Sequence, residues 1–103
     1  MKPEVLILFS RKGCCLCEAL EEHLLNISLT KLDPSVVFKI LDIDTTDVSL
    51  EERRLYTNDV PILVLDSNKL ARKIVLPRVS PRLKNDNLFL WLQNKLNNCY
   101  QSS

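Results

Sequence analysis

Three cysteines fall within four residues, Cys14-Cys15-Leu16-Cys17, and directly follow Gly13, the only glycine among 103 residues. At ordinary usage a chain of this length would carry about seven glycines. A Rossmann G-x-G-x-x-G turn and a P-loop both need several glycines, so that backbone N–H groups can approach phosphates, and neither can be built here. The cysteines constrain the chain from the other side. Disulfide staples in a small secreted domain must be spread along the sequence to close useful loops, whereas three of these four are clustered. In a reducing compartment such a group points to metal binding or redox chemistry.

The wider composition narrows the classes further. With 46% hydrophobic and 26% charged residues the chain can bury one modest core, so residues 1–103 read as a single domain. Fourteen Lys+Arg against 13 Asp+Glu leave a net charge of +1, far from the basic balance of a nucleic-acid binder. The cluster Arg72, Lys73, Arg78, Arg82 and Lys84 reads as a solvated face. The apolar run Val5 to Phe9 is too short for the roughly 7–15-residue core of a signal peptide or the ~20 residues of a membrane span. A cytoplasmic setting without membrane attachment is therefore expected.

Element signals alternate along the chain. Glu4–Ser10 (EVLILFS) reads as a strand buried on both faces. From Cys14 to about Ile27, Leu16, Ala19, Leu20, Leu24 and Ile27 recur at helical spacing, opposite Glu18, Glu21, Glu22 and Asn26. After a polar break at 30–35, Val36–Ile43 reads as a second strand. A short helix follows over about Val48–Tyr56, with Thr45, Thr46 and Asp47 as possible caps and Asn58 beyond its end. Pro61–Leu65 and Leu70–Leu76 form a hairpin around the turn Asp66–Lys69. A last helix runs from Pro81 or Leu83 to Cys99, burying Leu88, Phe89, Leu92 and Leu96 with Trp91 beside them. The order β-α-β-α-β-β-α, with right-handed crossovers, implies an α/β fold: a four-stranded mixed sheet flanked by three helices. A short polar tail, about 99–103, and the 30–35 loop are the expected loose ends.

The chemistry concentrates where the first strand meets the first helix. Cys14 sits where unpaired N–H groups and the positive end of the helix dipole favour an anion, which lowers a thiol pKa below the ~8.5 of a free cysteine. Arg11 and Lys12 act in the same direction. Cys17 lies one helical turn on, positioned to attack a mixed disulfide at Cys14 and release the product. Pairing Cys14 with Cys15 would need a strained vicinal ring, and Cys15 with Cys17 lacks the helical spacing. Cys15 and Cys99 read as a small hydrophobe and a structural or spare thiol. A structural zinc site wants four ligands, and the single histidine, His23, lies about 240° around and about 9 Å along the helix from Cys17. No metal site is assigned, and His23 reads as solvated. At Asp59-Val60-Pro61 two readings stand. Proline is tolerated at a strand start, and a cis Val60–Pro61 bond would belong to the ~5–6% of such bonds that are cis.

Together the segments EVLILFS, KGCCLCEAL, VVFKILDID, SLEERRLYTN and DVPILVLD resemble the thioredoxin superfamily, and within it the glutaredoxin-like branch, over about residues 4 to 98. The resemblance implies a thioredoxin-like fold, Cys14 as nucleophile, Cys17 as resolving thiol, and a cis-proline turn at Val60-Pro61 in which Val60 pairs its backbone with the substrate. It further implies a thiol–disulfide oxidoreductase that reduces protein or glutathione mixed disulfides, with no tightly bound cofactor and glutathione as co-substrate, acting as a monomer. The sequence departs from the pattern in two places. Cys15-Leu16 replaces the proline inside the glutaredoxin motif, and Val75 to Ser80 replaces the Gly-Gly turn that holds the γ-glutamyl end of glutathione. The thioredoxin W-C-G-P-C motif is also absent. Arg11 and Lys12 remain to attract the glycyl carboxylate, and a protein dithiol partner becomes comparably plausible. The alternative class is a non-catalytic thioredoxin-fold module binding a partner or an iron–sulfur cluster through Cys14.

Overall fold

A strand rich in branched aliphatic residues and flanked by apolar surface on both sides must be covered on both sides, and the fold does this with helices. The computed structural model describes residues 4–33, 35–80 and 82–101. Strands β1 (Glu4–Ser10), β2 (Val36–Asp42), β3 (Ile62–Ser67) and β4 (Arg72–Val75) form one sheet in the order β2-β1-β3-β4. β1 pairs parallel with β2 and antiparallel with β3, and β4 pairs antiparallel with β3. Helices α1 (Cys15–Leu25), α2 (Leu50–Tyr56) and α3 (Asn85–Gln101) complete a thioredoxin-like α/β fold.

Alternation along the central strands divides the core in two. Leu6, Leu8, Leu63 and Leu65 face one way and pack with Leu20 and Leu24 of α1 and Leu88, Leu92 and Leu96 of α3. Ile7, Phe9 and Val64 face the other way, onto Ile43, Val48 and Tyr56 of α2. β1 therefore runs buried through the centre, and its C-terminal end is held rigidly where the chain leaves for the cysteines.

Several boundaries differ from the sequence expectation for physical reasons. α2 starts two residues later than expected. Ser49 caps it by accepting the Glu52 N–H at 3.1 Å, while its hydroxyl donates to the Glu52 carboxylate at 3.2 Å. The competing cap residues lie in the preceding loop, which Arg53 holds by donating to the Ile43 and Thr45 carbonyls at 3.1 and 2.7 Å. β3 extends through Asp66 and Ser67, which have turn composition but pair with Lys73 and Arg72 of β4. The reversal moves to 68–71, where the Ser67 hydroxyl accepts the Leu70 N–H at 2.9 Å and Ala71 takes a positive φ of 55°. Leu29–Lys31 forms one 3₁₀ turn that overlaps the start of the expected 30–35 loop, and buries Leu29 with Leu32 nearby. The expected tail is partly helical, because α3 continues to Gln101. Of the two suggested starts of α3, Leu83 precedes it and Pro81 lies outside the described residues, as do 1–3 and 102–103 of the expected domain.

Candidate redox site

The link from β1 to α1 is four residues long, Arg11 to Cys14. Arg11 leaves the strand and commits its guanidinium to the protein. Nε and Nη2 donate to the two Asp44 oxygens at 2.9 and 3.1 Å, and Nη1 and Nη2 donate to the Thr57 carbonyl and hydroxyl at 3.0 and 2.6 Å. Four of its five N–H donors are thus engaged. This ties the loop before the cysteines to the loop after β2 and to the C-cap of α2. Lys12, next in the chain, is exposed and has no hydrogen bond or ion pair among the described residues. Gly13 takes φ +79°. A Cβ added there would meet nothing within 4 Å, so it is the left-handed backbone conformation, and not lack of space, that calls for glycine.

Cys14 then serves as the N-cap of α1. Its backbone is extended, and its Sγ accepts the Cys17 N–H at 3.2 Å. This is the position where Ser, Thr, Asp or Asn ordinarily satisfies an unpaired helix donor. A sulfur here faces the positive end of an eleven-residue helix. Cys14 and Cys17 form a disulfide, with Cα atoms 5.2 Å apart. Cys14 is half-buried, Cys17 fully buried, and Cys15 an exposed free thiol. The asymmetry suits a pair in which one sulfur meets the outside and the other waits behind it. Cys99, at the far end of α3, is half-buried, and burial pushes its thiol pKa up.

The Val60–Pro61 peptide bond is cis. Pro61 lines a cavity of about 290 Å³ together with Leu16, the residue inside the C-x-x-C. Arg78, Val79 and Ser80, on the stretch that follows β4, line it as well. His23 also lines this cavity and is half-buried, so it is not the solvated side chain expected from its angle to Cys17. Leu16, read as a core position, is 52% exposed. Arg78, read as part of a solvated face, is exposed as expected and also lines this cavity. Among the described residues no group of three or more His, Cys, Asp or Glu is arranged to hold a metal ion, and no described helix is long and apolar enough to cross a membrane.

The Arg11 bridge has a measurable consequence. The Asp44 carboxyl lies below the ordinary carboxylate range, chiefly because Arg11 donates to it. A depressed carboxylate pKa stabilises the fold above the ordinary value near 4, and that contribution fades as pH falls through the lowered pKa. In Arg11→Ala the Asp44 pKa should climb back toward the ordinary range, read by NMR titration of the side-chain carboxyl carbon. An unchanged Asp44 titration in this variant would contradict the bridge.

A buried and a half-exposed cysteine joined across the first turn of α1, beside a cis-proline at the head of β3, define a thioredoxin-like redox domain. The sequence matches the glutaredoxin-like domain family (DUF836) over residues 5–93, and the chain belongs to that family. A solved structure of a malarial protein is similar in fold, with a TM-score of 0.60 and 18% sequence identity over 92% of this chain and 99% of that one. At that identity the likeness shows the fold alone. A comparison with curated proteins returned no match.

Proposed function

We propose that the protein is a dithiol thiol–disulfide oxidoreductase that reduces protein or glutathione mixed disulfides. The observation that carries this reading is the Cys14–Cys17 disulfide, with Cys14 capping α1 and Cys17 buried behind it. In the reduced protein the Cys14 thiolate attacks one sulfur of the substrate disulfide, forming a mixed disulfide and expelling the other sulfur as a thiolate. The Cys17 thiolate then attacks Cys14 Sγ, releases the second substrate thiolate and closes the Cys14–Cys17 disulfide. Two electrons pass to the substrate, and an external dithiol restores the pair. The backbone of Val60 pairs with the incoming chain beside the Pro61 turn, and Lys12 attracts a substrate carboxylate. Arg11 adds its charge but spends most of its donors on Asp44 and Thr57. The setting that suits this chemistry is a reducing one, such as the cytoplasm, with the protein acting as a monomer.

Equilibration in glutathione redox buffers, with the thiol and disulfide forms counted by mass, tests the reading. The Cys14–Cys17 couple is expected between roughly −270 and −200 mV, the region spanned by thioredoxins and glutaredoxins. Failure to form the disulfide across the buffer series, or inactivity toward every mixed disulfide offered, would favour the non-catalytic binding module. Iron content and colour after anaerobic purification would then decide for or against a cluster.

A further inference from the structure

The cavity beside the disulfide carries groups that the exchange chemistry does not use. Leu16, Leu20 and His23 recur at i, i+4 and i+7 on α1, one stripe along the helix. Pro61, Arg78 and Val79 line the same cavity and also an adjoining one of about 120 Å³. The larger cavity is therefore an aliphatic trough whose polar side chains are His23, Arg78 and Ser80, with no carboxylate among them. The acidic residues of α1 lie elsewhere, since Glu18, Glu21 and Glu22 line a separate hollow with Leu25 and Asn26. Asp59 lines only the smaller cavity. Arg78 itself has no hydrogen bond or ion pair among the described residues.

An exposed leucine inside the redox motif and an uncommitted arginine lining the same cavity are complementary to one kind of chain. We infer that this trough selects protein substrates whose reactive cysteine is flanked by an aliphatic side chain, covering Leu16 and Val79, and by an acidic side chain that meets Arg78. The inference rests on the dithiol exchange proposed above and names its substrate class. Glutathione fits the trough less well, because it has no aliphatic side chain to cover Leu16 and Val79.

The test uses synthetic peptides with one cysteine, held as a mixed disulfide with neutral 2-mercaptoethanol and with leucine beside the cysteine. They differ at one further flanking position, which is glutamate, serine or lysine. The full chain turns them over with dithiothreitol as the reductant, and kcat/KM is read from the peptide thiol released. At low ionic strength the glutamate peptide should exceed the lysine peptide by at least about fivefold, narrowing as salt is added. Arg78→Glu should reverse that order, and Arg78→Gln should bring the ratio toward one. Equal rates for the glutamate and lysine peptides, or an order that Arg78→Glu leaves unchanged, would overturn the inference. So would turnover of the glutathione–mercaptoethanol disulfide as fast as the glutamate peptide. If none of the three peptides, the serine one included, releases its thiol faster than with dithiothreitol alone, the exchange reading itself falls and the inference with it.

Discussion

With Cys17 replaced by serine, the protein is expected to stop at the mixed disulfide. Incubation with glutathione disulfide should leave a single glutathione adduct on Cys14 that persists, because the thiol that would displace it is gone. Cys14→Ser should lose exchange altogether, by about three orders of magnitude or more, since a hydroxyl is a far weaker nucleophile than a thiolate held at a helix N-terminus. The two variants give opposite signatures, a trapped adduct and no adduct. The geometry behind both is the half-buried Cys14 at the cap and the fully buried Cys17 behind it. Peptide mapping is essential, because Cys15 is a free, exposed thiol in the adjacent position. An adduct on Cys15 in the Cys17→Ser protein would assign the nucleophile to the wrong sulfur in the present account.

The largest effect on stability is expected at Phe9. Its ring is fully buried, packs 5.1 Å from the Tyr56 ring, and belongs to the cluster that joins the sheet to α2. Phe9→Ala removes that aromatic volume from the central strand and should cost about 3–5 kcal/mol. A domain of this size has a total of roughly 5–15 kcal/mol, so the variant stands near the edge of folding. Its Tm should fall by roughly 15 °C or more. Leu55→Ala is the contrast: that leucine is 60% exposed on α2, and the change should stay within about 0.5 kcal/mol. Urea unfolding of both variants measures the difference, and a Phe9→Ala cost no larger than that of Leu55→Ala would refute the two-sided core.

The parts of the fold that were legible in the sequence are those whose cause is local. An apolar run with no polar face had to be a strand covered on both sides, and β1 is one. The helical recurrence of Leu20 and Leu24, and of Leu88, Leu92 and Leu96, marked the residues that fill one side of the core. The cap of α2 was also present in the sequence, as Ser49 followed three residues later by Glu52, but Thr45, Thr46 and Asp47 offered competing chemistry nearby. Those residues belong to a loop, held by its own turn hydrogen bonds at Thr45 and by Arg53, which reaches back to two carbonyls.

What was not legible depends on partners far along the chain. Asp66 and Ser67 have turn composition, yet pairing with β4 holds them in the sheet. Arg11 looked like a cation waiting for a ligand because Asp44 and Thr57 stand 33 and 46 positions away. His23 was placed by its angle to Cys17, and the relevant reference was a wall built by Pro61 and the 78–80 stretch. Leu16 matched the apolar stripe of α1, but the sheet does not reach it, and it is left exposed beside the disulfide. The cysteine cluster was thus legible as a local motif, while the cavity next to it came from topology.

Activation of Cys14 as a thiolate at the head of α1 can be read from the pH dependence of alkylation of the fully reduced protein by iodoacetamide, resolved by peptide mapping into Cys14, Cys15, Cys17 and Cys99. Cys14 should react first, with a midpoint clearly below the ~8.5 of a free thiol. A Cys14 midpoint at or above ~8.5, with Cys15 reacting first, would contradict it.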